Sequence, residues 1–182
     1  YNQHVERGIT FKLDRKVERF SGTDGEVEAV VLDNGEEIET NLVVIGIGIT
    51  PNTEWLASEE KDAVELARDH SIVCDSFLTT SEENIFAAGD VANYPYMVTG
   101  ENIRVEHWNQ SLEMGAYAAL NMLEKPIPYT SVPFFWTRMW NQSLQYSGHA
   151  KSFDTIYVEG DVEAQSFNSF YIKNDRILAV AS

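Results

Sequence analysis

Cysteine is almost absent: Cys74 is the only one among 182 residues. A single thiol excludes an internal disulfide framework and a paired-cysteine redox centre. Positive charge is scarce as well. Thirteen lysines and arginines stand against 29 acidic residues, for a net charge of −16. That balance argues against general nucleic-acid binding, because phosphate contacts need cations. The acidic excess otherwise serves solubility. No apolar run approaches the length of a membrane span, and the opening residues are not a basic, Ser-rich targeting segment. The four histidines (His4, His70, His107 and His149) lie far apart, without metal-ligand spacing. Internal repeats and low-complexity tracts are missing too.

What is there reads as a globular protein, with 43% hydrophobic and 23% charged residues. Residues 8–20 alternate in a β-like manner. Asp24-Gly25 and Asn34-Gly35 are hairpin-turn signals that bracket a strand, "EVEAVVL". "LVVIGIG" (42–48) is a continuous apolar run, the pattern of a strand buried on both faces. Residues 53–69 fit a helix or an acidic loop. "SIVCDSFLTT" predicts a strand and turn, and "NIFAAGD" a second short buried strand. Residues 105–124 predict a helix, with Trp108, Leu112, Gly115/Ala116, Ala119 and Leu123 on one face at helical spacing. Beyond Pro126 and Pro128 come five aromatic-rich strand candidates. The front is therefore α/β and the tail antiparallel β.

In α/β sheets, ligands sit beyond the carboxyl ends of the strands. That rule marks Gly48 and Gly89-Asp90. Ala88 and Gly89 have little or no side chain to hold a ligand off the backbone. Asp90 offers a carboxylate to ligand hydroxyls. Read locally, Gly89-Asp90 equally suits a simple turn. Alone, Trp108 and Phe134-Phe135-Trp136 read as core, His107 as a helix-start residue, Glu106 as a first-turn acid, and Cys74 as a buried small hydrophobe.

The ordered set "IGIGITPN", "NIFAAGDVA", "VEHWNQSLEMGAYAALNML" and "VPFFWTRMW" resembles the second half of FAD- and NAD(P)-dependent pyridine nucleotide oxidoreductases. "VEHW" and "VPFFWTRMW" narrow the likeness to the apoptosis-inducing factor family and the ferredoxin and rubredoxin reductases, particularly the members with an N-terminal Rieske domain. The resemblance implies partial FAD/NAD(P)-binding Rossmann-like domains followed by a C-terminal α+β domain with an antiparallel sheet. It implies boundaries at 1–47 for the tail of the NAD(P) domain, 48–125 for the second half of the FAD domain, and 126–182 for a truncated C-terminal domain.

The same resemblance implies site residues. Asp90 matches the aspartate that hydrogen-bonds the ribityl chain of FAD, with Gly89 allowing close approach. Gly48 matches a glycine near the nicotinamide. Glu106 and His107 match a pair beside the nicotinamide and flavin, and Trp108 follows on the flavin side. Trp136 matches a tryptophan near both rings, and Gln145 falls, with a one-residue gap, at a position contacting the nicotinamide end. Physical chemistry supports such roles. A reduced flavin carries negative charge that a helix N-terminus attracts, aromatic side chains cover flat rings, and hydride transfer requires positioning rather than a protein acid or base.

Departures carry expectations of their own. "GIGITP" (46–51) starts like a dinucleotide phosphate fingerprint but has proline at the third glycine's place. The chain is therefore expected to be a fragment of a flavoprotein oxidoreductase. Relatives often have glycine within "RDHS", so that turn is expected to differ. Arg138 stands where some relatives carry an acid. The implied activity is hydride transfer from NAD(P)H to FAD and onward electron transfer to an iron–sulfur acceptor of ferredoxin or Rieske type. The alternative is a redox-sensing, apoptosis-linked flavoprotein whose cofactor state controls association, including homodimer formation. Residence in mitochondria or cytoplasm follows from the resemblance alone.

Overall fold

The computed structural model describes residues 1–56 and 64–182, so the reading of 53–69 lies partly outside the described residues. The chain divides into two compact units, Tyr1–Gly48 and Ile49–Ser182.

The first unit holds a short helix α1 (Asn2–Glu6) and a three-stranded antiparallel meander of β1 (Val17–Thr23), β2 (Glu26–Leu32) and β3 (Glu37–Glu39). The β1–β2 turn places Asp24 at φ 54° and Gly25 at φ 85°. Two successive positive φ values are what a tight, right-twisted hairpin needs, and Asp-Gly supplies them at low cost. β2 is the middle strand and buries Ala29, Val31 and Leu32.

The apolar run at 42–48 corrects the sequence reading. It forms no strand, and all its apolar side chains but the half-buried Val43 are open to solvent, Ile47 to 91%. A doubly buried strand requires neighbours on both sides, and no described strand pairs with this one. α1 precedes the β-like segment read at 8–20.

The second unit starts from a small mixed sheet. β4 (Ile72–Val73) runs parallel to β5 (Ala92–Pro95), and β6 (Asn102–Ile103) pairs antiparallel on β5's other side. "NIFAAGD" is not a strand: Phe86 makes an isolated bridge to Thr79, and Gly89–Val91 is one 3-10 turn. Ala87 and Gly89 are nevertheless buried, so the small residues serve the interior without a ladder. The long helix α2 (Trp108–Met122) packs Gln110, Met114 and Ala118 inward. Their partners include Cys74, Leu78, Ala92, Tyr94 and Tyr129.

α2 corrects a second expectation. The stripe of Trp108, Leu112, Ala119 and Leu123 faces outward, and Trp108 is 78% exposed. The inward face is chosen by a buried polar contact. Gln110 donates to the Tyr94 hydroxyl at 2.9 Å and to the Tyr129 hydroxyl. A buried amide left unbonded would be costly. At the other end, Asn121 ties α2 to the linker by bonding the Phe77 and Ile127 carbonyls and the Ile127 N–H.

The tail forms one antiparallel sheet of five strands: β7 (Phe134–Met139), β8 (Gln142–Gly148), β9 (Thr155–Asp161), β10 (Ser166–Lys173) and β11 (Arg176–Ala181), in spatial order β7-β8-β11-β10-β9. One face carries Phe135, Tyr146 and Tyr171; Tyr146 meets both other rings, at centroid distances of 6.1 and 5.8 Å. Phe135 packs on the core beneath α2. The opposite face carries Phe134, Trp136 and Arg138. Together these elements give the α/β front and antiparallel tail expected from the sequence. No helix among the described residues is long and apolar enough to cross a membrane.

Candidate functional site

The 3-10 turn at Gly89–Val91 meets the first turn of α2. Gly89 sits at φ +79°, and a Cβ there would lie 3.3 Å from both Cβ and Oγ of Ser111. Glycine is therefore demanded twice, by the left-handed backbone and by the approach of α2. This fit to the helix is a protein-packing role, alongside any role toward a ligand.

The contact presents Asp90. The Ser111 hydroxyl lies 2.8 Å from Asp90 Oδ1 and 3.1 Å from the His107 carbonyl. Having one proton, it donates best to the carboxylate, the stronger acceptor. Asp90 is half-buried. His107 is the N-cap residue of α2 in extended conformation, and no side chain caps that end. Its free N–H groups carry the positive end of the helix dipole. The His107 ring meets Phe135 edge-on at 4.8 Å, joining α2 to β7.

Arg104 organises this region, and the sequence reading missed it. Its Nε donates to Asp69 Oδ2 at 2.9 Å, its Nη1 to the Asp90 carbonyl at 3.1 Å, and its Nη2 pairs with Glu106 Oε1 at 2.8 Å. The side chain is only 17% exposed. A planar fork with several fixed donors can hold three acceptors at once, which lysine cannot. The signal that could have exposed it is a cation between two core residues, Ile103 and Val105, followed directly by an acid.

Asp69 belongs to the turn flagged as unusual. His70 takes the left-handed conformation at φ 66°, a geometry that favours glycine. Asp69 stabilises the turn by accepting from the Ser71 hydroxyl and from the Ser71 N–H at 3.2 Å. The Ser71 hydrogen bonds, aided by the Arg104 guanidinium and opposed by partial burial, hold the Asp69 carboxyl down at about 2.

The structure thus brings together Gly89, Asp90, Glu106 and His107. It pairs Trp136 and Gln145 separately as direct cross-strand neighbours of β7 and β8. Trp136 is 66% exposed. Trp108, whose residue-level reading was core, opens α2 with its indole in solvent. Gly48 ends the first unit at φ +91°, with nothing near its Cα face. Cys74 is buried as expected, its thiol donating to the Asn93 carbonyl.

Residues 1–115 match the model of the pyridine nucleotide-disulphide oxidoreductases, and residues 134–182 match that of the reductase C-terminal domain. The chain belongs to the pyridine nucleotide-disulphide oxidoreductase family. Over 175 residues it is 31% identical to apoptosis-inducing factor 3 of Homo sapiens, covering 96% of this chain and 28% of that protein. It is 32% identical over 179 residues to rhodocoxin reductase of Rhodococcus erythropolis, covering 98% of this chain and 41% of that one. The fold superposes on the covalent putidaredoxin reductase–putidaredoxin complex with a TM-score of 0.88 at 28% identity, covering all of this chain and 43% of that one. The chain therefore spans less than half the length of these relatives.

Members of this family use FAD and NAD(P)H. The donor set around Asp90 fits part of a flavin nucleotide. A carboxylate with one oxygen held by Ser111 keeps acceptor capacity for hydroxyls, and an uncapped helix end suits a partly negative ring edge. Among the described residues there is no complete dinucleotide phosphate fingerprint.

Proposed function

We propose that this chain is the second half of an FAD-dependent NAD(P)H oxidoreductase that passes electrons to an iron–sulfur protein of ferredoxin or Rieske type. The observation that carries the reading is the Asp90 carboxylate, fixed by Ser111 at the uncapped start of α2, in a chain of this family. When bound, FAD would supply the chemistry, taking a hydride from NAD(P)H and releasing electrons singly. The protein's share is binding and placement. Asp90 would accept from the ribityl hydroxyls, while Gly89 keeps the backbone close. The first N–H groups of α2 would favour negative charge on the pyrimidine side. His107, Glu106, Trp108, Trp136 and Gln145 would line the rings, the tryptophans excluding water, and Gly48 would lie toward the nicotinamide. Arg104 would keep Glu106 and the Asp90 backbone in register.

The exposed apolar surface supports a longer protein. The stripe on α2 and the run at 42–48 are too apolar for solvent, and the relatives are more than twice as long. In this reading, domains of the NAD(P)-binding, FAD-binding and C-terminal types meet at 47/48 and 125/126, and the remaining parts of the first two cover those faces. The relatives named as rhodocoxin reductase and as a putidaredoxin reductase caught with putidaredoxin support an iron–sulfur acceptor.

The test is Asp90→Ala in the intact protein, read as bound flavin per polypeptide. The reading expects flavin to be lost on desalting while the fold persists. Unchanged flavin content would contradict the assignment of Asp90.

A further inference from the structure

Away from Asp90, a cleft of about 200 Å³ opens where the 99–103 segment, the loop after β8 and the β10–β11 turn converge. Three cations line it: Lys151, Lys173 and Arg176. The chain has only 13 lysines and arginines against 29 acids. None of these three makes an ion pair among the described residues, although Glu101 also lines the cleft.

Neutral groups orient two of the cations instead. Lys173 Nζ donates to Ser152 Oγ at 2.8 Å, leaving two N–H donors. Arg176 Nη2 donates to the Val98 carbonyl at 3.0 Å, which pins the guanidinium and leaves its other donors. An incoming anion would break no salt bridge and would meet pre-positioned charge. The Ser152 hydroxyl and the amides of Asn102 and Asn174 add neutral donors around the same space. Cations mixed with neutral donors, in a cleft the size of a small oxyanion cluster, suit tetrahedral phosphate better than a planar apolar ligand.

We propose that this cleft binds a small phosphate-bearing anion at a site separate from the Asp90 region, with Lys151, Lys173 and Arg176 as its cationic contacts. Such a ligand would bridge the 99–103 segment and the C-terminal sheet, which the Arg176–Val98 bond already links.

The test is phosphorus NMR and calorimetric titration of the intact protein with inorganic pyrophosphate at physiological salt. The Lys151→Glu variant is the main comparison, because that side chain makes no hydrogen bond or ion pair among the described residues. Lys173→Gln is the second comparison. The expected result is saturable binding, weakened about tenfold or more by each variant, with flavin content and NADH-driven flavin reduction unaltered. Absence of saturable binding would overturn the proposal. So would binding as strong in both variants as in the parent. So would a cleft whose variants leave pyrophosphate binding unchanged but abolish association with an acidic iron–sulfur protein, which would make it a protein-docking surface. Loss of NADH oxidation in the parent protein would instead count against the proposed reductase reading, not against this site.

Discussion

Arg104→Met should loosen the whole Asp90 region without emptying its core. The aliphatic stem of methionine fills the space of the arginine stem, so the loss is confined to the head group. Two ion pairs disappear, to Asp69 and Glu106, whose side chains are 48% and 41% exposed. Such screened pairs contribute about 0.5 kcal/mol each. The hydrogen bond to the Asp90 carbonyl, from a side chain only 17% exposed, adds about 1 kcal/mol. The expected loss is about 2 kcal/mol, a fall in melting temperature of about 4–8 °C for a chain of this size. Arg104→Lys should recover less than half, since one ammonium cannot satisfy three separated acceptors. Urea unfolding of the intact protein measures the loss as a lowered midpoint at constant slope, and flavin stoichiometry reports the site. A variant within about 0.5 kcal/mol of the parent that retains full flavin would refute the organising role given to Arg104.

Other outcomes follow from the same geometry. Gly89→Ala should cost about 2 kcal/mol, chiefly from placing a Cβ in the left-handed region against Ser111; a chain as stable as the parent would show that the 89–111 approach is not tight. Burial first, and the neighbouring Asp75 charge second, push the Cys74 thiol up to about 12, so iodoacetamide at mildly alkaline pH should label it only after unfolding. Rapid labelling of the folded chain would contradict that. The Asp69 carboxyl is held below its unfolded value of about 4. Its contribution to stability is therefore complete above about pH 4 and is lost as pH falls toward about 2. Asp69→Asn should flatten that part of the acid-unfolding profile, and an identical profile would remove Asp69 from the turn's energetics.

The legible parts of the fold were those set by local patterns. Asp24-Gly25 fixed a hairpin because only that turn geometry tolerates two positive φ values cheaply. The five tail strands were readable from runs rich in aromatic and β-branched residues. What failed needed knowledge of neighbours. The run at 42–48 has the composition of an inner strand, but a ladder depends on partners that no window of sequence contains. α2 was placed within about three residues at each end, yet its inward face is the one carrying Gln110, selected by Tyr94 and Tyr129 from distant segments. Arg104 escaped notice for the same reason, since its acceptors at 69, 90 and 106 converge only in three dimensions. Asp90 was marked by the strand-end rule and the motif resemblance, because Gly-Asp read locally suits a turn equally well, and its contact with Ser111 in the first turn of α2 came from the fold.

The most direct measurement is anaerobic stopped-flow mixing of the flavin-loaded intact protein with NADH, and in parallel with NADPH, following the flavin band near about 450 nm. The account predicts that the protein retains flavin and that at least one nucleotide bleaches the band, with the Asp90→Ala variant losing the flavin beforehand. A protein that holds no flavin, or a band that neither nucleotide alters, would contradict it.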